Sequence, residues 1–93
     1  MSNYLNSFQL NDHHARVTGA GRGLGEACAL ALAEAGAEIT MVARSSDQLE
    51  SVAKQIRESG GQASVHPADL TKMEDIRKLE ELGPFTILVN NAG

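Results

Sequence analysis

Three times in succession a short apolar run gives way to a helix-periodic segment, and a fourth apolar run follows the third. Residues 14–18 (His-Ala-Arg-Val-Thr) run straight into a glycine cluster and by position form a first strand. Residues 24–35 are strong helix formers, with Gly36 placed as a C-terminal cap. Ile39 to Ala43 is short, apolar and partly β-branched, which reads as a second strand. Ser45 stands three residues before Gln48, a capping-box spacing, and Leu49, Val52, Ala53 and Ile56 follow at helical intervals. That helix ends near Gly60-Gly61. Residues 63–66 form a third short strand closed by Pro67. Thr71 and Glu74 repeat the capping-box spacing, Ile76, Leu79 and Leu82 supply an apolar stripe, and Gly83-Pro84 stops the helix. Residues 86–90 (Thr-Ile-Leu-Val-Asn) are the fourth strand. Such alternation demands parallel strands joined by right-handed crossovers. The expected fold class is α/β, four parallel strands alternating with three helices, in one domain across residues 1–93 with residues 1–12 as a polar lead-in arm.

Within this pattern the first strand is the weak joint. A central parallel strand is buried on both faces and is normally apolar throughout. Here His14 and Arg16 occupy it. An unpaired buried charge is costly, so each must reach solvent, find a partner or distort the strand. The core has few aromatics to draw on, since Tyr4, Phe8 and Phe85 are the whole set, and is expected to be aliphatic.

The octapeptide Thr18-Gly19-Ala20-Gly21-Arg22-Gly23-Leu24-Gly25 lies between the first strand and the first helix. A helix N-terminus offers free N–H groups and a positive dipole end, which suit a phosphate. Glycines let the backbone turn sharply and approach that phosphate closely. The common Gly-x-Gly-x-x-Gly fingerprint fails in both frames, because Leu24 or Glu26 stands in the third place. The triphosphatase phosphate loop fails too, for want of Gly-Lys-Ser/Thr. What matches is Thr-Gly-x-x-x-Gly-x-Gly, at Thr18, Gly19, Gly23 and Gly25. Asn90-Asn91-Ala92-Gly93 follows the fourth strand, and Asp69-Leu70 follows the third. With these three motifs in order, the chain resembles the short-chain dehydrogenase/reductase family over roughly residues 8–93. The resemblance implies a truncated, doubly wound Rossmann fold. It also implies a dinucleotide site at Thr18, Gly19, Gly21, Arg22, Gly23, Leu24, Gly25, Asp69, Leu70, Asn90, Asn91, Ala92 and Gly93. In it, Asp69-Leu70 contacts the adenine, Thr18 fixes the turn, Asn90 ties neighbouring strands or loops, and Asn91 lies nearer the ribose.

The end of the second strand decides between cofactors. An acid there accepts from the ribose hydroxyls of NAD, whereas an arginine suits the 2′-phosphate of NADP. This strand ends Val42-Ala43-Arg44, and Glu38 lies at its other end. Arg22 resembles the basic residue that NADP-preferring members carry in the glycine turn. Two cations converging on one phosphate favour NADP over NAD.

The same resemblance implies carbonyl or alcohol chemistry carried by Ser, Tyr and Lys, the last two as Tyr-x-x-x-Lys, all beyond the Asn-Asn-Ala-Gly signature. No such pair occurs within these 93 residues, whose only tyrosine, Tyr4, is followed at the fourth place by Phe8. The expectation is therefore the cofactor half of an NADP-dependent oxidoreductase, inactive by itself; the alternative is a non-catalytic nucleotide-binding fragment. Small carbonyl or alcohol substrates, and a homo-oligomer, are expected only of a full-length form. Open apolar residues 87–89 would otherwise mark the edge where a fifth strand pairs.

The remaining features are read as bland. His13 and His14 are neighbours on a strand and point to opposite faces, so they cannot chelate one ion together. Cys28 is expected as a buried structural thiol and forms no internal disulfide, being alone. The acids at 74, 75, 80 and 81 are expected on a solvated helix face. A formal charge of −4 argues against a nucleic-acid surface. Neither a signal peptide nor an apolar run long enough for a membrane span is visible, so a cytoplasmic setting is expected.

Overall fold

The computed structural model describes residues 10–19, 23–44 and 47–90. Along the chain come β1 (His14–Thr18), α1 (Gly23–Glu34), β2 (Glu38–Ala43), α2 (Asp47–Glu58), β3 (Ala63–Pro67), α3 (Met73–Glu81) and β4 (Ile87–Asn90). All strand pairs are parallel, in the spatial order β3-β2-β1-β4. The expected α/β architecture is thus the observed one, with element ends displaced by a residue or two.

The strand order explains the layering. The chain steps outward from β1 to β2 to β3, then reverses and returns to the far side of β1. Right-handed crossovers place α1 and α2 on one face of the sheet and α3 on the other. Residues in parallel register share a face. Ala15 pairs with Ile39 and Ile87, and Val17 with Met41 and Val89. These side chains pack with Ala29 of α1 and with Leu49, Val52, Ala53 and Ile56 of α2. The i, i+3, i+4, i+7 spacing in α2 is therefore its core-facing stripe. The core is aliphatic, as the composition required.

The opposite face carries the polar half of β1. His14 is in register with Glu38, and Arg16 with Thr40 and Leu88. Three contacts accommodate His14. Its Nε2 shares a 2.6 Å hydrogen bond with Thr40 Oγ1, Glu38 Oε2 stands 3.8 Å away, and the Phe85 ring lies with its centroid 4.5 Å from the imidazole. Thr40 Oγ1 continues to Ser64 Oγ at 3.4 Å. The Arg16 guanidinium carbon is 5.7 Å from the centroid of the same Phe85 ring, within cation–π range. Phe85 belongs to the segment that returns from α3, so it covers the face left free by α1 and α2. Two-residue periodicity resolves the difficulty: His14 and Arg16 fall on one side, while Ala15 and Val17 are fully buried on the other. Among the described residues no buried side-chain nitrogen or oxygen lacks a hydrogen-bond partner.

Several expectations are corrected. Thr71 does not cap α3; Lys72 is the N-cap residue and makes no side-chain cap bond, its ammonium having no acceptor to offer, while Thr71 lies one residue earlier in the turn bonded to Asp69. Leu82 is the C-cap residue and partly exposed, outside the apolar stripe that buries Leu79. Cys28 is half-buried and free, not wholly enclosed. Asp75 is not a merely solvated acid, since its carboxylate accepts the Asp69 amide. Ser45 lies outside the described residues. Of the open edge, Leu88 is 63% exposed, while Ile87 and Val89 pack against the core.

Candidate functional site

The C-terminal ends of four parallel strands meet at one edge of the sheet. The order in which strands are added reverses between β1 and β4: β2 and β3 lie to one side of β1, and β4 lies to the other. That topological switch point is where open α/β sheets form a ligand crevice. Thr18 ends β1, Arg44 follows β2, Asp69 follows β3 by two residues, and Asn90 ends β4.

Thr18 closes the switch point. Its hydroxyl donates to Asn90 Oδ1 at 3.0 Å and lies 3.3 Å from the Val89 carbonyl oxygen. It thereby joins β1 to β4 across 72 residues of chain. Asn90 takes the strand-tying role expected of it. Gly19 then bends the chain at φ +67, its amide donating to the Val42 carbonyl oxygen at 3.1 Å. Gly23 opens α1 at φ +64, and a Cβ built there would meet no atom of the described residues within 4 Å. A non-glycine residue is strained at such φ. Gly25 is buried one turn further on, whereas Leu24 is 70% exposed. Gly21 and Arg22, and likewise Asn91, Ala92 and Gly93, lie outside the described residues.

The β2 and β3 ends form a second cluster that the motifs did not reveal. Arg44, 77% exposed, holds its Nε 3.9 Å from Asp69 Oδ1. The same Oδ1 accepts from the Thr71 hydroxyl at 2.6 Å and the Thr71 amide at 2.9 Å. The Asp69 amide donates to Asp75 Oδ2 at 2.7 Å. The Thr71 hydroxyl, then its amide, hold the Asp69 carboxyl below the usual carboxylate range; Arg44 and Lys72 act in the same direction, and partial desolvation opposes them. Leu70 is exposed beside it. An Asx-type turn was legible only as Asp-x-Thr at 69–71; the Arg44 contact had no sequence signal, since it joins two loops.

Chemically, the edge offers amides at a helix N-terminus, a cation beyond β2 and an oriented carboxylate beyond β3. It suits an extended ligand with a central anionic group. A second concavity, about 920 Å³, lies at the other end of the sheet and gathers Asp12, His13, Glu34 and Glu38. The C-terminus of α1 and these acids make that end unfavourable for a phosphate. The described residues include no group of His, Cys, Asp or Glu able to hold a metal, and His13 instead bonds Thr86 Oγ1 at 2.9 Å. No described helix is long and apolar enough to cross a membrane.

The family model described as short chain dehydrogenase matches residues 13–93. An uncharacterized oxidoreductase of Mycobacterium tuberculosis is 44% identical over 94 residues, covering 96% of this chain and 36% of its own length. A short-chain type dehydrogenase/reductase from Mycobacterium marinum superposes with a TM-score of 0.86 at 42% identity, over 100% of this chain and 39% of that one. A 3-oxoacyl-(acyl-carrier-protein) reductase from Agrobacterium tumefaciens, solved with NADP bound, gives a TM-score of 0.83 at 35% identity, over 95% and 36%. The chain thus spans a little over a third of the length of these proteins.

Proposed function

The chain belongs to the short-chain dehydrogenase family of oxidoreductases, and from that premise we propose that it is the NADP-binding half of one. In this reading residues 18–25 seat the pyrophosphate, with the amides at the start of α1 as donors, Gly19 and Gly23 shaping the bend, and Gly21 and Leu24 beside it. Arg44 and Arg22 take the 2′-phosphate, Asp69 and Leu70 border the adenine, and Asn90, Asn91, Ala92 and Gly93 approach the nicotinamide-side ribose. The observation that carries the reading is the convergence of Thr18, Gly23, Arg44, Asp69 and Asn90 on one sheet edge at the strand-order reversal. The left-handed glycine that opens α1 and an exposed cation beyond β2 fit a dinucleotide carrying an extra phosphate. The bound nicotinamide would supply the hydride for reduction of a small carbonyl, or accept it from an alcohol. This chain's own residues hold the cofactor and orient it; the residues that move protons belong to the other half of a full-length enzyme. A cytoplasmic, homo-oligomeric enzyme is the corresponding proposal for the whole protein.

Fluorescence titration with NADPH and NADH tests the reading. We expect tighter binding of NADPH, loss of both on Gly23→Asp, and a shift toward NADH on Arg44→Asp. Unchanged relative affinities in the Arg44 variant would refute the 2′-phosphate assignment.

A further inference from the structure

We propose that Asp69 sets cofactor selectivity, acting as an internal counter-charge that competes with the 2′-phosphate for Arg44. This rests on the site described under Proposed function and goes beyond it. A basic residue after β2 accounts for a preference for NADP, but Arg44 does not stand alone: Asp69 Oδ1 lies 3.9 Å from its Nε. A 2′-phosphate brought to Arg44 must displace this carboxylate or share the guanidinium with it, whereas a ribose hydroxyl brings no charge. Asp69 cannot readily swing aside. Both the amide and the hydroxyl of Thr71 bond its Oδ1, and Asp75 Oδ2 holds its backbone N–H. Nor does it readily give way by protonation, since the Thr71 bonds favour its charged form. Thr71 and Asp75 are thus positioning residues for a fixed negative charge beside an exposed cation. The consequence is a site with moderate selectivity, able to accept NAD as well.

The test compares dissociation constants of NADP and NAD, measured by isothermal titration calorimetry, for the full chain and its variants. Asp69→Asn removes the charge and should raise the NAD-to-NADP ratio of dissociation constants by about twofold to fivefold, the scale of an exposed ion pair. A weakened adenine contact lowers both absolute affinities together; the ratio cancels that shared loss. Asp69→Ser serves as a second neutral variant if the first does not fold, with the same expected ratio. Arg44→Ala should collapse the ratio toward one. A ratio unchanged or lowered by both neutral Asp69 variants overturns the proposal while leaving the site assignment intact, provided Arg44→Ala still collapses it. A wild-type chain that binds neither dinucleotide, or an Arg44→Ala ratio equal to wild type, overturns the site assignment and the proposal together.

Discussion

Gly23 offers a clean separation of folding from binding. It opens α1 at φ +64, and a Cβ there would meet no atom of the described residues within 4 Å. Its replacement by alanine should therefore cost only backbone strain, about 1–2 kcal/mol for an L-residue in the left-handed region. Gly60, at the end of α2, is a matched control: it sits at φ +91 with nothing within 4 Å of its built Cβ. Gly60→Ala should cost about the same 1–2 kcal/mol. Asparagine, which tolerates this region better, should cost less than alanine at Gly23. The two sites diverge in binding. At Gly23 the new methyl would stand in the turn assigned to the pyrophosphate. Pushing a phosphate off one amide loses a charge-assisted hydrogen bond worth about 1.5–3 kcal/mol, or roughly tenfold to a hundredfold in affinity. Gly60, at the opposite end of the sheet, should leave affinity unchanged. Urea unfolding and NADPH titration of the three variants check both parts. Equal binding losses at Gly23 and Gly60 would refute the local argument, and an undiminished affinity in Gly23→Ala would remove the phosphate from that turn.

Other expectations follow from single contacts. Thr18→Val should lose about 1–2 kcal/mol by leaving Asn90 without its donor, whereas Thr18→Ser should retain most of it; urea unfolding of the pair decides. Leu49→Ala, at a fully buried core position, should cost about 2–5 kcal/mol in the same assay. Phe85→Ala should expose His14 and Arg16 together and cost roughly 1–3 kcal/mol, less than a fully enclosed phenylalanine because the ring is half-buried. The depressed Asp69 carboxyl stabilises the fold at pH values above the unfolded value near 3.9, and that contribution disappears as pH falls through the lower folded value. Thr71→Val should move the Asp69 titration up toward the ordinary carboxylate value, as followed by carboxyl carbon NMR, and an unmoved midpoint would contradict the assigned cause.

The fold was legible because its signals are periodic and local. The spacing of Leu49, Val52, Ala53 and Ile56 marks a helix face whatever it packs against, and the glycines at 19, 23 and 25 mark a strand-to-helix bend. Contacts between loops were not legible. Nothing in the spacing of Arg44 and Asp69 shows that β2 and β3 end side by side with those residues facing. The capping box at Thr71 misled for a related reason: Asp69, two residues earlier, takes both the amide and the hydroxyl proton of Thr71 into its own turn, and the helix begins one residue later, with Lys72 as its N-cap residue. His14 and Arg16 looked like a threat to β1 because the sequence does not show that Phe85 returns to cover that face.

The Thr18–Asn90 bond has a kinetic corollary. Pairing β1 with β2 joins positions such as Thr18 and Val42, and pairing β2 with β3 joins Val42 and His66, whereas pairing β1 with β4 joins positions as distant as Thr18 and Asn90. Closing the threefold longer loop costs about 1 kcal/mol more chain entropy. The three-stranded platform β3-β2-β1 can therefore assemble first, with β4 docking afterwards and completing the crevice at the moment it arrives. A dinucleotide spanning that junction would act as a clasp on the last strand, slowing its release more than it slows the opening of any other part of the sheet.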